Sequence, residues 1–166
     1  MTDNIIKLNK DNILKLKIET NEGEDTGEFL EFNLEDIGLL LKYQELMEKD
    51  KKNKENLRNQ FLIIEKRQDV AGKKLLSKNE EDKIRAIKDF FEKEIEVYNM
   101  FLGENGVQKL LNGRKIGWTT LQEIDEIIDK QILPYIKIDM ERITEKIKNK
   151  YGDVVDNNED DIEVLE

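Results

Sequence analysis

Near its start the chain alternates apolar and polar residues one by one, and then the period changes. Leu14, Leu16 and Ile18 alternate with Lys15, Lys17 and Glu19, the period of a half-buried strand. Asn21 to Gly27 is rich in turn formers, and Phe29-Leu30-Glu31-Phe32 resumes as a short strand. The spacing predicts a β-hairpin from about Leu14 to Phe32. Ile5, Ile6 and Leu8 extend it as a third strand or an arm. Two strands alone are marginal in water, so the apolar face of the hairpin requires a helix or another chain over it.

Beyond residue 33 the period becomes helical. Asn33 is a good N-cap with Glu35 and Asp36 behind it, and Leu34, Ile37, Leu40, Leu41 and Met47 form a broad apolar face. Residues 48–56 are almost all charged or amide, and apolar spacing resumes at Leu57, Phe61 and Ile64. The pattern fits one long helix crossing solvent or two helices meeting at a turn. Ala71-Gly72 marks a break. Ser77-Lys78-Asn79-Glu80 is a capping box. After it Ile84, Ile87, Phe91, Tyr98 and Phe101 keep helical spacing, with Phe90 and Val97 widening the stripe and Glu94 filling one of its slots. This stripe is the best candidate for the core, and Gly103 is a natural stop. A short helix over Gly106–Leu111, a loop from Arg114 to Gly117 and a second capping box at Thr120–Glu123 follow. Leu121, Ile124, Ile128 and Ile132 form one stripe, and Ile136, Met140, Ile143 and Ile147 another. Pro134, the single proline, is expected to kink or break the helix between them.

The fold class is therefore mostly α with a small N-terminal β-hairpin (α+β), built as a helical bundle or an extended helical body. The segmentation is a hairpin or arm over 1–33, a helical domain over 34–151 and an acidic, flexible tail over 152–166.

Charge modifies this picture in one place. Of the 166 residues 40% are charged, and the net charge is −10. Seven acids and no base lie in the last fifteen residues, which leaves residues 1–151 at −3. A nearly balanced body without a basic stripe speaks against nucleic acid as a partner. The tail reads best as a solvated end. An EF-hand loop ending at Glu166 would place Asp160 where glycine is required.

The chain has neither cysteine nor histidine, which removes disulfides, thiol nucleophiles, zinc sites of the Cys/His type and Ser-His-Asp triads. No apolar run reaches membrane-spanning length, and the N-terminus does not read as a signal peptide. Neither a GxxxxGK[ST] loop nor a GxGxxG motif is present. The acid pairs Glu92/Glu96 and Asp125/Asp129 share helix faces at i,i+4, a spacing that can hold a metal. Without a histidine partner they read as solvated surface. The sequence thus predicts no enzyme, no cofactor, no metal and no membrane partner. Trp118, the lone tryptophan, reads equally as an interface anchor or as a plug in the core.

One segment carries a resemblance. It runs Tyr98-Asn99-Met100-Phe101-Leu102-Gly103-Glu104-Asn105-Gly106-Val107-Gln108-Lys109-Leu110-Leu111-Asn112-Gly113, then through Leu121 and Ile124 to Ile132-Leu133-Pro134-Tyr135-Ile136. It resembles the tail assembly chaperones of long-tailed bacteriophages: an apolar helix ending in Leu-Gly, a basic-apolar pair before a glycine, and a further helix toward the C-terminus. The residues that match are Phe101, Leu102, Gly103, Lys109, Leu110, Leu111, Gly113 and, loosely, Pro134. Leu111 stands where the family often has Phe or Ile. The leading β segment followed by helices is also similar.

The resemblance implies a chaperone that binds the tape measure protein and keeps it soluble until the tail tube polymerises. It implies a homo-oligomer in the host bacterial cytoplasm, absent from the mature virion. It also implies that a longer form can arise by a programmed ribosomal frameshift. The competing expectation is an acidic helical protein–protein interaction module of another cytosolic system, without enzymatic activity.

Overall fold

A computed structural model describes residues 12–70 and 75–155. The arm around Ile5–Leu8, the Ala71-Gly72 break and residues 156–166 of the acidic segment lie outside the described residues. The chain is mostly helical behind one two-stranded antiparallel hairpin. It divides into two compact units, 1–125 and 126–166. The division falls inside a helix and coincides with neither segment boundary marked by the sequence.

Strands β1 (Ile13–Glu19) and β2 (Asp25–Asn33) pair with Leu14 opposite Phe32 and Leu16 opposite Leu30. This register puts Leu14, Leu16, Ile18, Leu30 and Phe32 on one face, as the period of two demands. The opposite face holds the Lys17–Asp25 ion pair at 2.9 Å and the Lys15 ammonium 3.7 Å above the Phe29 ring. The turn is tighter than its composition suggests. Thr20 closes it by bonding Glu24 and Gly23, so Asp25, Thr26 and Gly27 already belong to β2, and the Thr26 hydroxyl donates to the Ile18 carbonyl at 2.8 Å.

Helix α1 (Leu39–Lys66) begins later than Asn33. Asn33 is the last residue of β2, and its side chain accepts from the Glu35 amide. Asp36 accepts from the Gly38 amide in the same way. These side-chain turns satisfy backbone donors outside a helix, the competition that makes Asn and Asp poor early-helix residues. The charged stretch 48–56 does not interrupt α1, which runs through it as one helix.

Helix α2 (Lys78–Leu102) starts at the expected capping box: Ser77 accepts from Glu80, and Glu80 accepts from the Ser77 amide. It runs antiparallel to α1. Glu65 pairs with Lys83 and Arg67 with Asp82 near one end, and Asn53 meets Glu94 further along. At the other end Phe101 lies 5.6 Å from both Phe32 and Tyr43. The hairpin thus receives its cover from α2 and from the short helix α3 (Gly106–Leu111).

The core face of α2 is rotated from the expected one. Ala86, Phe90, Glu94, Tyr98, Phe101 and Leu102 are buried, whereas Ile84 is exposed. A second correction concerns Thr120. Helix α4 (Trp118–Ile127) begins two residues before it, and its hydroxyl accepts from the Gly117 amide, so Thr120–Glu123 is no capping box.

In the second unit α4 passes into a π-helical turn (Ile128–Ile132) and then α5 (Leu133–Val155). Pro134 neither breaks the helix nor stands free of consequence. A proline lacks the amide that an α-helix needs, and the wider turn ahead of it is a known accommodation of such interruptions. Ile128, Ile132, Leu133 and Ile136 are buried, while Ile147 is exposed. Asp139 pairs with Arg142 at 2.5 Å. Among the described residues no helix is long and apolar enough to cross a membrane.

The α2–α3 corner allows a direct test. A Cβ on Gly106 would meet the Leu102 Cβ at 2.5 Å, with nothing flexible between them, whereas a Cβ on Gly117 would meet nothing within 4 Å. Gly106→Ala is expected to lower unfolding stability by about 2 kcal/mol. Gly117→Ala should stay within about 0.5 kcal/mol of the parent. Urea denaturation of both variants checks this.

Candidate functional site

Two features of the first unit stand out: a polar cluster inside the α1–α2 seam and an apolar end on the same helix pair. The cluster begins at Glu94, a carboxylic acid with 0% exposure in the middle of α2. Its Oε1 accepts from the Asn53 amide at 2.7 Å. The Asp50 carboxyl, one turn earlier on α1, lies within hydrogen-bonding reach of it. Asp50 Oδ2 is held by Lys54 at 2.8 Å. Asp50 Oδ1 and Glu94 Oε2 are buried and meet no donor. Tyr98, one turn further along α2, donates its hydroxyl to Asp125 of α4 at 2.5 Å.

The electrostatics follow from this crowding. Burial first, and then the hydrogen bond and charge of Asp50, push the Glu94 carboxyl from 4.5 to about 8, against the opposing effects of Asn53 and Lys54. Burial and the bond to Asp125 push the Tyr98 hydroxyl far above its ordinary value, so it stays a donor. Burial alone would lower the Lys54 ammonium, but the bond and charge of Asp50, with Asp125 and Glu94 behind it, hold it above its ordinary value. These shifts favour a Glu94 carboxyl that keeps its proton at neutral pH, beside the Lys54 ammonium and the Tyr98 phenol. Among the described residues no group of three or more acids is placed to hold a metal ion.

The apolar end lies where α1 finishes and α2 begins. Leu62 and Ile63 on α1, Val70 beyond it, Leu75 and Leu76 ahead of α2 and Ile84 within it are all exposed, Leu75 to 97%. The helix faces of Leu62, Ile63 and Ile84 point away from the seam that buries Leu57, Ile64 and Ala86, whereas Val70, Leu75 and Leu76 lie between the two helices. Exposed large apolar residues are ordinary when scattered, but a concentration of them marks a contact surface.

The residues singled out by the family-like motif sit elsewhere and do mostly structural work. Phe101 and Leu102 are buried at the end of α2, and Leu111 is buried in α3. Gly103 and Gly113 hold φ of 95° and 82°, which a glycine adopts without a steric penalty. Lys109 reaches the Phe29 carbonyl at 3.4 Å and so ties α3 to β2. Leu110 is half-buried beside a groove of about 350 Å³ between α3 and the hairpin turn, with Ile18, Glu22, Thr26 and Arg114 among its walls. Pro134 belongs to the second unit. Trp118 is the first residue of α4 instead of a loop residue. Its ring centre lies 5.1 Å from those of both Phe90, tilted, and Phe91, edge-on, yet it remains 49% exposed, so it closes the aromatic cluster and still shows one side to solvent. Comparisons with protein-family models, with curated proteins and with solved structures find no match to this chain.

Sequence reasoning missed Asp50 and Asn53, and read Asp125, which accepts from Tyr98 in a part-buried position, as solvated surface. The signal was there in part. Leu46, Asp50, Asn53, Leu57 and Ile64 fall on one helical face, and Glu94 interrupts the apolar stripe of α2 at a slot that faces them. Glu94→Ala removes the acceptor from Asn53 and leaves a void; a cost of roughly 2–4 kcal/mol is expected. Glu94→Gln keeps the acceptor and gives Asp50 a donor without titrating, and should be at least as stable as the parent at pH 8. Chemical denaturation at that pH separates the two outcomes.

Proposed function

We propose that the chain is an assembly chaperone of the phage-tail type, which binds the tape measure protein and keeps that long apolar helix soluble until the tail tube forms around it. The observation that carries this reading is the apolar end of the α1–α2 pair. Six large aliphatic side chains are exposed there, Leu62, Ile63 and Ile84 on the helices and Val70, Leu75 and Leu76 between them, on a helix pair whose other end is anchored under the β-hairpin by Phe32, Tyr43 and Phe101. Such an arrangement offers a client helix apolar anchors at one end of the pair. Recognition of that kind is governed by the apolar anchors of an amphipathic helix laid against the receptor. The resemblance of residues 98–136 to the tail assembly chaperones supports the same reading, as does a surface that is otherwise densely charged.

The function is exerted in the host bacterial cytoplasm by a self-associating protein that leaves before the virion matures. No chemical step is required of it. The polar cluster positions the helices and takes no part in client contact.

Co-expression with the tape measure protein tests the proposal. The parent chain should raise the soluble fraction of the client several-fold. A Leu62→Lys, Ile84→Lys double variant should lose most of that effect while keeping the circular dichroism of the parent, because both positions are exposed and outside the seam. A client that stays insoluble beside the parent chain would overturn the reading.

A further inference from the structure

We propose that Glu94 and Asp50 share one proton across the α1–α2 seam, and that loss of this proton opens the middle of the seam. This concerns the helix pair itself and holds whether or not the chain carries a client.

The geometry supplies the argument. Each carboxyl has one oxygen satisfied: Glu94 Oε1 by Asn53, and Asp50 Oδ2 by Lys54. Each has one buried oxygen that no donor reaches, and the two groups lie within hydrogen-bonding reach. A single proton between Glu94 Oε2 and Asp50 Oδ1 satisfies both oxygens at once. No other placement does so with the groups at hand. Without it, two carboxylates face each other in a space shielded from water, a repulsion that the surroundings oppose only through the Asn53 amide and the Lys54 ammonium.

The charged and titratable groups that face Glu94 are few. Helix α1 contributes Asp50 and Lys54, and α4 contributes Asp125, which is bonded to Tyr98 of α2. Lys54 and Tyr98 keep their protons well above neutrality, so the proton on the carboxyl pair is the one that changes in the physiological range.

The sign of the effect is fixed by the direction of the shift. Glu94 holds its proton more tightly in the closed state than in the open one. Closure is therefore fully favoured below the ordinary carboxylate value and weakens as pH rises from about 4.5 to about 8. Each opening releases one proton, so the opening constant rises up to tenfold per pH unit within that window and levels off above it. Opening exposes Leu46, Leu57 and Phe90, which flank the pair in the seam.

Hydrogen exchange of the full chain, corrected for the intrinsic rate at each pH, reads this directly. In the parent chain, amides of residues 46–57 and 86–98 should lose tenfold or more of their protection between pH 6 and pH 8, while β1 and β2 do not follow. Glu94→Gln should abolish the dependence and keep the protection high. Asp50→Asn removes the hydrogen bond and charge of Asp50 but leaves Glu94 buried, so it should weaken the dependence without abolishing it, and serves if the first variant folds poorly. Protection in the parent that does not change with pH would overturn the proposal. An unchanged slope in whichever of the two variants folds would overturn it equally.

Discussion

A carboxyl with no access to water, halfway along the longest helix pair, constrains much of what surrounds it. Burying an ionised carboxylate without compensation costs far more than a domain's net stability, so Glu94 has to be neutral, hydrogen-bonded or both. It is satisfied by Asn53 on one oxygen and crowded by Asp50 on the other. That requirement fixes the register of α1 against α2. A slip of one turn, about 5.4 Å, would carry Asn53 away and leave the acid without its donor. Apolar packing by Leu46, Leu57, Ile64, Ala86 and Phe90 supplies the attraction between the helices, but such contacts tolerate sliding. The polar pair specifies one alignment, a use of buried polar groups that gives up some stability for uniqueness.

With the register set, the two ends of the pair acquire different characters. One end inserts Phe101 between Phe32 and Tyr43 and so completes the hairpin, which two strands alone would not sustain. Asn99 secures the adjoining corner by accepting from the Val107 amide and donating to Gln108. The other end is pinned by Arg67–Asp82, Lys83–Glu65 and the Asn79 amide on the Ile64 and Arg67 carbonyls, and it turns its aliphatic residues outward. Exposed ion pairs contribute little individually. Here they accompany a surface that remains apolar, which is the property the proposed chaperone role requires.

Local patterns in the sequence were informative wherever one short-range rule decided the outcome. The alternation Leu14–Ile18, the capping box at Ser77 and the stop at Gly103 each depend on neighbours a few residues away. The start of α1 was misplaced because Asn33 and Asp36 satisfy backbone amides in turns as readily as at a helix cap. Thr120 misled for a related reason, since its hydroxyl serves the amide of Gly117 ahead of a helix that had already begun. Ile84 was assigned to the core by spacing, yet the burial of α2 follows Phe90, Glu94 and Tyr98, a face chosen by α1. The polar cluster was the least legible part. Asp50, Glu94 and Asp125 lie far apart in sequence, and only the fold brings them together. The motif residues from Phe101 to Gly113 turned out to shape a corner, which the sequence alone does not distinguish from a binding surface.

The most direct measurement is the titration of the Glu94 side chain, followed by carbon-13 NMR of its carboxyl carbon in the full chain. A Glu94 carboxyl still protonated at pH 7 and titrating near pH 8 is the expected result. A Glu94 carboxyl that is already ionised by pH 6 would contradict it.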